Sequence, residues 1–396
     1  MSGKEAKAVV PKLRFPEFRE AVAWEEKEVG EIFKVTRGEV LSMRLVSDMP
    51  SETTPYPVYS SQTKNNGLSG YYSDFLYENA ITWTTDGANA GDVNYRPGKF
   101  YCTNVCGVLI NNDGYANVFI AELLNTITRK HVSYIGNPKL MNGVMAKIKI
   151  ILPPLPEQQK IAHCLSSLDE VIGLQAKKVQ ALKQHKKSLM QQLFPAEGET
   201  TPRLRFPEFR EAGAWEVKRL GEVANISMGA SPKSASYNDQ RIGLPLIQGN
   251  ADIKDRKSSP RLFASQITRE CWVGDILVGV RAPVGMVAKS EHHACIGRGI
   301  SALCVKGEDR QEFLYQWLLW YEPHWVSISQ GGTFDSVNKN EITNLVALFP
   351  NPSEQQKIAH CLSSLDEVIG LESHKLDTLK NLKKGLMQQL FPQEVA

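Results

Sequence analysis

The chain has 396 residues, of which 42% are hydrophobic and 22% charged, and its formal net charge is +3. This length is too great for one compact core and predicts two or three domains. No apolar run of about eighteen residues and no basic-then-apolar leader is present, which argues against membrane and secreted proteins and favours the cytoplasm. Seven cysteines, an odd number, favour reduced thiols. The nearly neutral charge argues against a protein that grips nucleic acid unaided.

The chain contains an internal repeat that begins near the amino terminus. Residues 13–21 return unchanged as residues 204–212, and a tryptophan follows each copy at Trp24 and Trp215. The chain therefore consists of two tandem copies of a leading segment, a globular insert and a long helix. The two inserts diverge in sequence, which predicts one task performed on two different targets.

The first insert combines predicted strands at residues 79–84 and 105–110 with a helix at Val118–Ile127. Its loops are rich in amides and hydroxyls, which pair with base edges and phosphates but which also form plain turns. Both interpretations stay open from composition alone. The candidates for DNA contact are Ser61, Gln62, Thr63, Lys64, Asn65, Trp83, Thr85, Asp86 and Asn89.

Each insert is followed by a long predicted helix, and residues 157–174 of the first recur unchanged as residues 354–371 of the second. Each helix follows a proline-rich stretch, ends at Phe-Pro and would be roughly 55 Å long. Its apolar residues alternate by four and three, the pattern of a coiled coil, and we expect the two helices to pair antiparallel with each other. The predicted interface consists of Ile161, Leu165, Leu168, Ile172, Val179, Leu182, Leu189, Leu193, Ile358, Leu362, Leu365, Ile369, Leu376, Leu379, Leu386 and Leu390.

A polar linker at residues 196–202 leads into the second insert, with predicted strands at residues 275–280 and 300–305 and a helix at Gln311–Tyr321. An arginine flanked by glycine or proline is a plausible guanine reader, because its fork pairs with O6 and N7. The candidates for DNA contact here are Ser231, Lys233, Gln248, Asn250, Arg281, Arg298, Thr333 and Phe334.

Motifs for catalysis and for metal binding are absent. The sequence has no GxxxxGK[ST], HExxH or GxSxG pattern, so no catalytic residue is predicted. Gly297-Arg298-Gly299 begins like a dinucleotide fingerprint, but the third glycine position is Ala302 and a strand pattern follows. His292, His293 and Cys295 lack a second ligand pair at zinc spacing, so a solvent-facing loop is the better interpretation and no metal site is predicted. Cys102 and Cys106 are interpreted as packing residues.

Together these features resemble the specificity subunit of type I restriction-modification systems. The resemblance rests on the two repeated helices and on residues 56–62, 81–87, 281–285 and 331–334. It implies an α+β fold with two globular α/β target recognition domains, separated by two long helices that form an antiparallel coiled coil, with a pseudo-two-fold, circular internal repeat. The implied boundaries are 1–155 for the leading segment and first recognition domain, 156–195 for the central spacer helix, 196–350 for the linker and second recognition domain, and 351–396 for the C-terminal spacer helix.

The resemblance also implies a function. Each globular domain would read one half of a bipartite, asymmetric site in double-stranded DNA, while the helices set the spacing and dock two methyltransferase subunits. Restriction subunits would join the full complex, an adenine DNA methyltransferase and ATP-dependent endonuclease. This chain would need no cofactor, whereas the partner subunits would use S-adenosylmethionine, ATP and Mg. Two alternatives stay open: a stand-alone enzyme, which would need a catalytic constellation, and a protein-binding scaffold, which would need no base-reading loops.

Overall fold

The computed structural model of the chain describes residues 11–61, 64–325 and 336–391. These residues divide into two compact units. Unit 1 comprises the described residues of Met1–Ala176 and Lys375–Ala396, and unit 2 comprises those of Lys177–His374. Each unit therefore contains parts of both long helices. None of the helices in the described chain has the length and apolar composition that crossing a bilayer requires.

Unit 1 is an α+β domain. Its short 3-10 turns lie at Pro16–Phe18, Met43–Leu45, Lys64–Gly67 and Thr128–His131. Its described strands and helices are β1 (Glu25–Glu28), α1 (Val29–Ile32), β2 (Lys34–Arg37), β3 (Tyr56–Tyr59), β4 (Leu68–Tyr72), β5 (Tyr77–Thr84), β6 (Val93–Cys102), β7 (Cys106–Ile110), α2 (Val118–Ile127), α3 (Asn142–Ala146), β8 (Lys149–Leu152) and the first part of α4 (Leu155–Leu193).

Unit 2 is also an α+β domain, and it contains more short strands than unit 1. Its 3-10 turns lie at Pro207–Phe209, Ser234–Ser236, Asn250–Asp252 and Glu322–His324. After the rest of α4, its described elements are β9 (Glu216–Arg219), α5 (Leu220–Val223), β10 (Ala224–Met228), β11 (Tyr237–Asn238), β12 (Leu244–Ile247), β13 (Ile253–Lys254), β14 (Lys257–Ser258), β15 (Leu262–Ala264), β16 (Glu270–Cys271), β17 (Ile276–Gly279), β18 (Val287–Lys289), β19 (Ala294–Ile296), β20 (Ile300–Val305), α6 (Gln311–Tyr321), α7 (Lys339–Asn344), β21 (Val346–Phe349) and α8 (Pro352–Leu390).

The main sheets of the two units share the order of their first four strands despite unlike sequences, and differ in the order of the last two. Among the described residues, the main sheet of unit 1 has the order β2-β7-β5-β6-β3-β4, and that of unit 2 the order β10-β20-β17-β18-β14-β13. Antiparallel pairs β1-β8 and β9-β21 also correspond. Unit 2 adds a sheet of order β11-β15-β12-β19-β16. The predicted helices α2 and α6 begin and end where the sequence pattern placed them, and the four predicted strands are found as β5, β7, β17 and β20.

The long helices α4 and α8 begin with matching caps and pair antiparallel. The Gln158 side chain donates to the Pro153 carbonyl at 2.8 Å, and Gln355 donates to the Pro350 carbonyl at 2.9 Å. These bonds tie each helix start to the proline-rich stretch before it. In unit 1 the first part of α4 meets the last part of α8, and in unit 2 the last part of α4 meets the first part of α8.

The predicted seam residues are buried or half-buried in the structure. None of them is exposed. Ile161, Leu165 and Leu390 also belong to the core of unit 1 around Trp24 and Phe119. Leu193, Ile358 and Leu362 likewise belong to the core of unit 2 around Trp215 and Phe313. The ends of the helices therefore pack into the globular domains as well as lying along each other.

A buried ion pair joins the leading segment of each unit to the start of a long helix. In unit 1 the Arg14 guanidinium donates Nε to Glu157 Oε1 at 2.8 Å and Nη2 to Oε2 at 2.7 Å. Its remaining donors reach the carbonyls of Ala21 and Val22. The bond with Glu157 raises the pKa of Arg14 above its ordinary value, although burial opposes this. The same fork recurs between Arg205 and Glu354 in unit 2.

We expect Arg14→Ala to lower the free energy of unfolding of unit 1 by about 3–5 kcal/mol, because it leaves the Glu157 carboxylate buried without a partner. The matched control is Lys160→Ala. Lys160 lies on the same helix as Glu157, and its exposed ion pair is with Glu17 of the leading segment. Exposed pairs contribute little, so this control should cost less than about 1 kcal/mol. Urea unfolding of the full chain compares the two variants. An Arg14→Ala protein as stable as the control would show that the buried pair does not hold the segment in place.

Candidate nucleic-acid interface

Two polar loops of unit 1 are brought together by the turn between β6 and β7. We call residues 60–67, after β3, loop A, and residues 85–91, after β5, loop B. The turn between β6 and β7 connects them: Thr103 Oγ1 donates to Ser60 Oγ at 2.9 Å, and the Val105 carbonyl accepts from the Thr85 amide at 3.0 Å. Two loops that are distant in sequence thus form one continuous polar surface.

A hairpin that the sequence did not single out extends this surface. We call residues 133–139 the tip hairpin, because Ser133 and Lys139 exchange backbone hydrogen bonds at 2.9 Å. Lys139 Nζ lies 3.6 Å from Asp86 Oδ1 in loop B. At its turn, Tyr134 and Ile135 are 67% and 94% exposed. The Gly-Asn-Pro sequence at residues 136–138 marks a turn and could have located this hairpin, but nothing in the sequence indicates that it joins loop B.

The predicted contact residues of unit 1 differ in how accessible they are. Ser61, Asp86 and Asn89 are half-buried and Asn65 is exposed. Thr85 is buried, and its hydroxyl donates to the Val105 carbonyl at 2.9 Å, so it holds the loop in place. Gln62, Thr63 and the side chain of Lys64 lie outside the described residues.

The structure corrects the assignment of Trp83 to DNA contact. Its side chain is 1% exposed, and its Nε1 donates to the Leu140 carbonyl at 3.1 Å. The ring also lies directly against Gly107, where a Cβ atom would come within 2.1 Å of it. Trp83 is therefore a core residue of the strand predicted at residues 79–84, and its large apolar ring accounts for its burial.

The side chain of Arg96, on β6, holds loop A in place. Its guanidinium stacks 3.7 Å from the centre of the Tyr59 ring, donates Nε to Thr82 Oγ1 at 3.0 Å and donates Nη2 to the Asn66 carbonyl at 2.7 Å. Burial lowers the pKa of this guanidinium, and the Tyr59 and thiol neighbours oppose that effect. Because Asn65 and Asn66 both have positive φ, the Asn66 contact supports a backbone shape that is otherwise unfavourable.

In unit 2 the predicted contact residues come together around one arginine. Arg298 is exposed, and both its amide and its Nε donate to Ser231 Oγ, at 3.2 and 3.4 Å. Gln248 O accepts from the Gly299 amide at 3.1 Å, and the Gln248 side chain donates to the hydroxyl of Tyr237 at 2.7 Å. Tyr237 was not predicted, since a single tyrosine in a short strand gives no signal of its own.

The remaining predicted residues of unit 2 lie beside this cluster or outside the described chain. Asn250 donates to the Pro283 carbonyl at 2.8 Å, which brings it next to the loop that carries Arg281. Arg281 and Lys233 are exposed. Thr333 and Phe334 lie outside the described residues. We call the loops at residues 229–233, 248–250, 281–285 and 297–299 the unit 2 loop cluster.

Two glycines allow the loops of this cluster to approach each other closely. A Cβ atom at Gly229 would lie 2.1 Å from the Gly297 carbonyl oxygen, and one at Gly299 would lie 2.4 Å from the Gln248 carbonyl oxygen. Both of these neighbouring atoms belong to the backbone, so they cannot move aside as the end of a flexible side chain could. The glycines around Arg298 therefore serve loop packing, and β20 follows directly, which excludes the helix that a dinucleotide fingerprint needs.

The candidate metal ligands have structural roles. His292 Nδ1 lies 2.7 Å from Ser258 Oγ, and His293 Nε2 lies 2.6 Å from Glu270. Burial raises the pKa of Cys102, and it raises that of Cys106 to about 11, so both thiols are protonated near neutral pH. Across the described chain, no three His, Cys, Asp or Glu side chains are grouped in a way that could hold a metal ion.

The family described as type I restriction modification DNA specificity domain matches residues 21–184 and again residues 213–381. The chain belongs to this family. It is the DNA specificity subunit of a type I restriction-modification system, the component that is non-catalytic within such systems.

Similar proteins match this specificity subunit either over nearly its whole length or over one part of it. A putative type I restriction enzyme MjaX specificity subunit of Methanocaldococcus jannaschii is 27% identical over 400 residues, covering 93% of this chain and 92% of the relative. The putative type I specificity subunit S.MpnORF289P N-terminus of Mycoplasma pneumoniae is 42% identical over 143 residues, covering 35% of this chain and 75% of the relative.

Solved structures share the fold. The crystal structure of the type I restriction-modification system S subunit from M. genitalium has a TM-score of 0.69 at 17% identity and covers 98% of this chain and 100% of that one. A chain from a study of complex assembly and conformational transition of the type I system has a TM-score of 0.58 at 21% identity, with 94% and 98% covered. The domains with their antiparallel long helices thus form the specificity-subunit fold.

We expect Arg96→Met to loosen loop A without unfolding unit 1. The variant loses the bonds to Thr82 and Asn66 and the stacking on Tyr59, together worth about 1.5–3 kcal/mol, so local opening should become about tenfold more frequent or more. The readout is amide hydrogen exchange at Ser60, whose amide donates to the Gly67 carbonyl. Arg129→Met, which removes an exposed pair with Asp92, is the control. Equal exchange in both variants would show that Arg96 does not position the loop.

Proposed function

We propose that unit 1 and unit 2 each read one half of a bipartite, asymmetric site in double-stranded DNA. The proposal rests mainly on one observation: two unlike sets of polar loops are carried by two sheets whose first four strands follow the same order. A repeated framework with different loops suits a protein that performs the same kind of contact on two different sequences. The recognition surface of unit 1 is loop A, loop B and the tip hairpin, and that of unit 2 is the unit 2 loop cluster.

Arg298 is the strongest candidate for a base contact. Its Nε is engaged by Ser231, and within the described residues its two Nη groups have no partner. Their fork suits the O6 and N7 acceptors of guanine in the major groove. Arg281 is exposed on the neighbouring loop and provides a second donor group of the same kind. The oriented guanidinium favours base reading over simple phosphate attraction, because a fixed fork is needed for a bidentate contact.

We further propose that the long helices set the distance between the half-sites and dock two methyltransferase subunits. The identical stretches 157–174 and 354–371 present the same exposed apolar residues: Val171 and Leu174 on α4 are 47% and 59% exposed, and Val368 and Leu371 on α8 are 41% and 72% exposed. Duplicated exposed apolar surface suits a partner that binds twice through the same contacts.

The partners would also supply the chemistry and part of the affinity. Methyl transfer from S-adenosylmethionine belongs in this proposal to the methyltransferase subunits, and ATP- and Mg-dependent cleavage to restriction subunits. The net charge of +3 is low for a protein that must neutralise many phosphates by itself. We therefore expect most phosphate contacts to come from the methyltransferase subunits. A scaffold without a DNA role would have no use for an oriented, exposed arginine among close-packed loops.

The half-site proposal is tested with Arg298→Ala in the complex with methyltransferase subunits, using duplexes that carry every single-base change. If Arg298 contacts a guanine through both Nη groups, affinity for the intact site should fall by about 1–3 kcal/mol, and preference should relax at one position of one half-site. Arg210→Ala, an exposed arginine in the leading segment of unit 2, is the control. Equal weakening on every duplex would assign Arg298 to phosphate, and an unchanged base preference would contradict the proposal.

The spacer proposal is tested by inserting four residues into each long helix, after Ala176 and after His374. Each insertion adds about 6 Å of helix. Since the duplex rises about 3.4 Å per base pair, the unspecified gap should lengthen by one or two base pairs. Mapping methylated adenines in cells that carry the lengthened subunit measures the gap. Methylation that keeps both half-sites and the original gap would refute the role of the helices as a spacer.

A further inference from the structure

A cleft of about 710 Å³ opens in unit 1, away from the recognition loops. It lies between the last turn of α2, the strand β8 and the end of α8. Its floor is apolar and consists of Leu123 and Ile127 on α2, Ile151 on β8, and Met387 and Phe391 on or just after α8. Leu123 and Phe391 are buried parts of the unit 1 core, so the cleft reaches down to that core.

The rim of the cleft is rich in lysine. Lys149 pairs with Glu26 at 2.7 Å, and Lys383 pairs with Glu122 at 2.7 Å, so these two are neutralised. Lys380 and Lys384, one turn apart on α8, are exposed and have no ion pair within the described residues. Two uncompensated ammonium groups beside an apolar floor match a ligand that carries carboxylates next to a large apolar group.

In unit 2 the space that corresponds to this cleft is filled by a side chain of α6, as an alignment of α2 with α6 shows. Phe119 contacts the rings of Trp24 and Phe391, and Phe313 contacts those of Trp215 and Phe194, so α2 and α6 can be aligned residue by residue.

Thr126 lies seven residues after Phe119 on α2, and Trp320 lies seven residues after Phe313 on α6, so the two residues occupy equivalent positions. The Trp320 ring lies 5.5 Å from Phe194 and 6.3 Å from Trp317. In unit 2 an aromatic ring therefore packs at this position against its neighbouring rings. In unit 1 the smaller side chain of Thr126 leaves the equivalent space empty.

We propose that the cleft binds an acidic segment of another protein, with an aromatic side chain in the place that Trp320 takes in unit 2. The carboxylates of the segment face Lys380 and Lys384. DNA is disfavoured as the occupant, because phosphates would use the lysines but would gain nothing from the apolar floor. This site is separate from the recognition loops, and it adds to the DNA-specificity role a contact that only unit 1 can make.

The experiment measures binding of a short acidic peptide with one tryptophan to the full-length chain by isothermal titration calorimetry. We expect saturable binding that weakens about tenfold or more when the peptide tryptophan is replaced by alanine, in keeping with burial of a full aromatic side chain. Thr126→Trp should abolish binding by filling the cleft from within. The double change Lys380→Glu with Lys384→Glu should weaken binding about tenfold or more, and added salt should weaken the wild-type interaction.

The internal repeat supplies the matched control, which is Lys183→Glu with Lys187→Glu at the corresponding positions of α4. This protein should bind the peptide as the wild type does. Thermal unfolding checks that Thr126→Trp is folded, and the lysine changes test the cleft independently of that variant. Equal affinity of wild type and Thr126→Trp, equal losses in the two lysine pairs, or displacement of the peptide by a duplex oligonucleotide would each overturn the proposal. Because no DNA or methyltransferase subunit is needed for the main measurement, its failure leaves the half-site proposal untouched.

Discussion

The bidentate pair of Arg14 with Glu157, and its counterpart Arg205 with Glu354, is the contact on which the architecture depends. Each carboxylate is almost fully buried, at 1% and 0% side-chain exposure. Such a charge is tolerable only while its partner is present, because the unpaired ion would lose its hydration without compensation. The pair therefore fixes the leading segment of each unit to the first turn of one long helix.

The residue just before each of these arginines is bound to the other long helix. In unit 1 the Leu13 amide donates to the Gln389 carbonyl at 3.0 Å, near the end of α8. In unit 2 the Leu204 amide donates to the Gln192 carbonyl at 2.9 Å, near the end of α4. Each leading segment thus joins the start of one helix to the end of the other. This explains why each compact unit takes helical residues from two distant parts of the sequence, and why the repeat has a circular character.

The sequence predicts the helices far better than the recognition surface, and the reasons are physical. Prolines, apolar spacing and polar caps are local signals, so α2, α6 and the long helices could be located from neighbouring residues alone. The joining of Ser60 and Thr85 through the turn between β6 and β7 depends on strand pairing, which is a non-local property. Trp83 was misassigned for the same reason: only the packed structure shows that Gly107 leaves room for its ring.

The polar residues of the helical seam explain why the helices pair in one register. The sequence has a lysine at the same seam position of each helix, Lys186 and Lys383, where an apolar residue would bind more strongly. In unit 2, Lys186 donates to both carboxylate oxygens of Asp366 at 2.6 and 2.7 Å, and in unit 1 Lys383 reaches Asp169 at 2.8 Å.

The two aspartates are themselves equivalent residues of the repeated stretch. A shift of one helix by a heptad would separate both lysines from their carboxylates and leave Lys186, which is largely buried, without a partner. An aliphatic seam alone would tolerate such a shift. The apolar residues thus supply the attraction between α4 and α8, while the two lysine–aspartate pairs favour the register in which each leading segment also bonds to the end of the other helix.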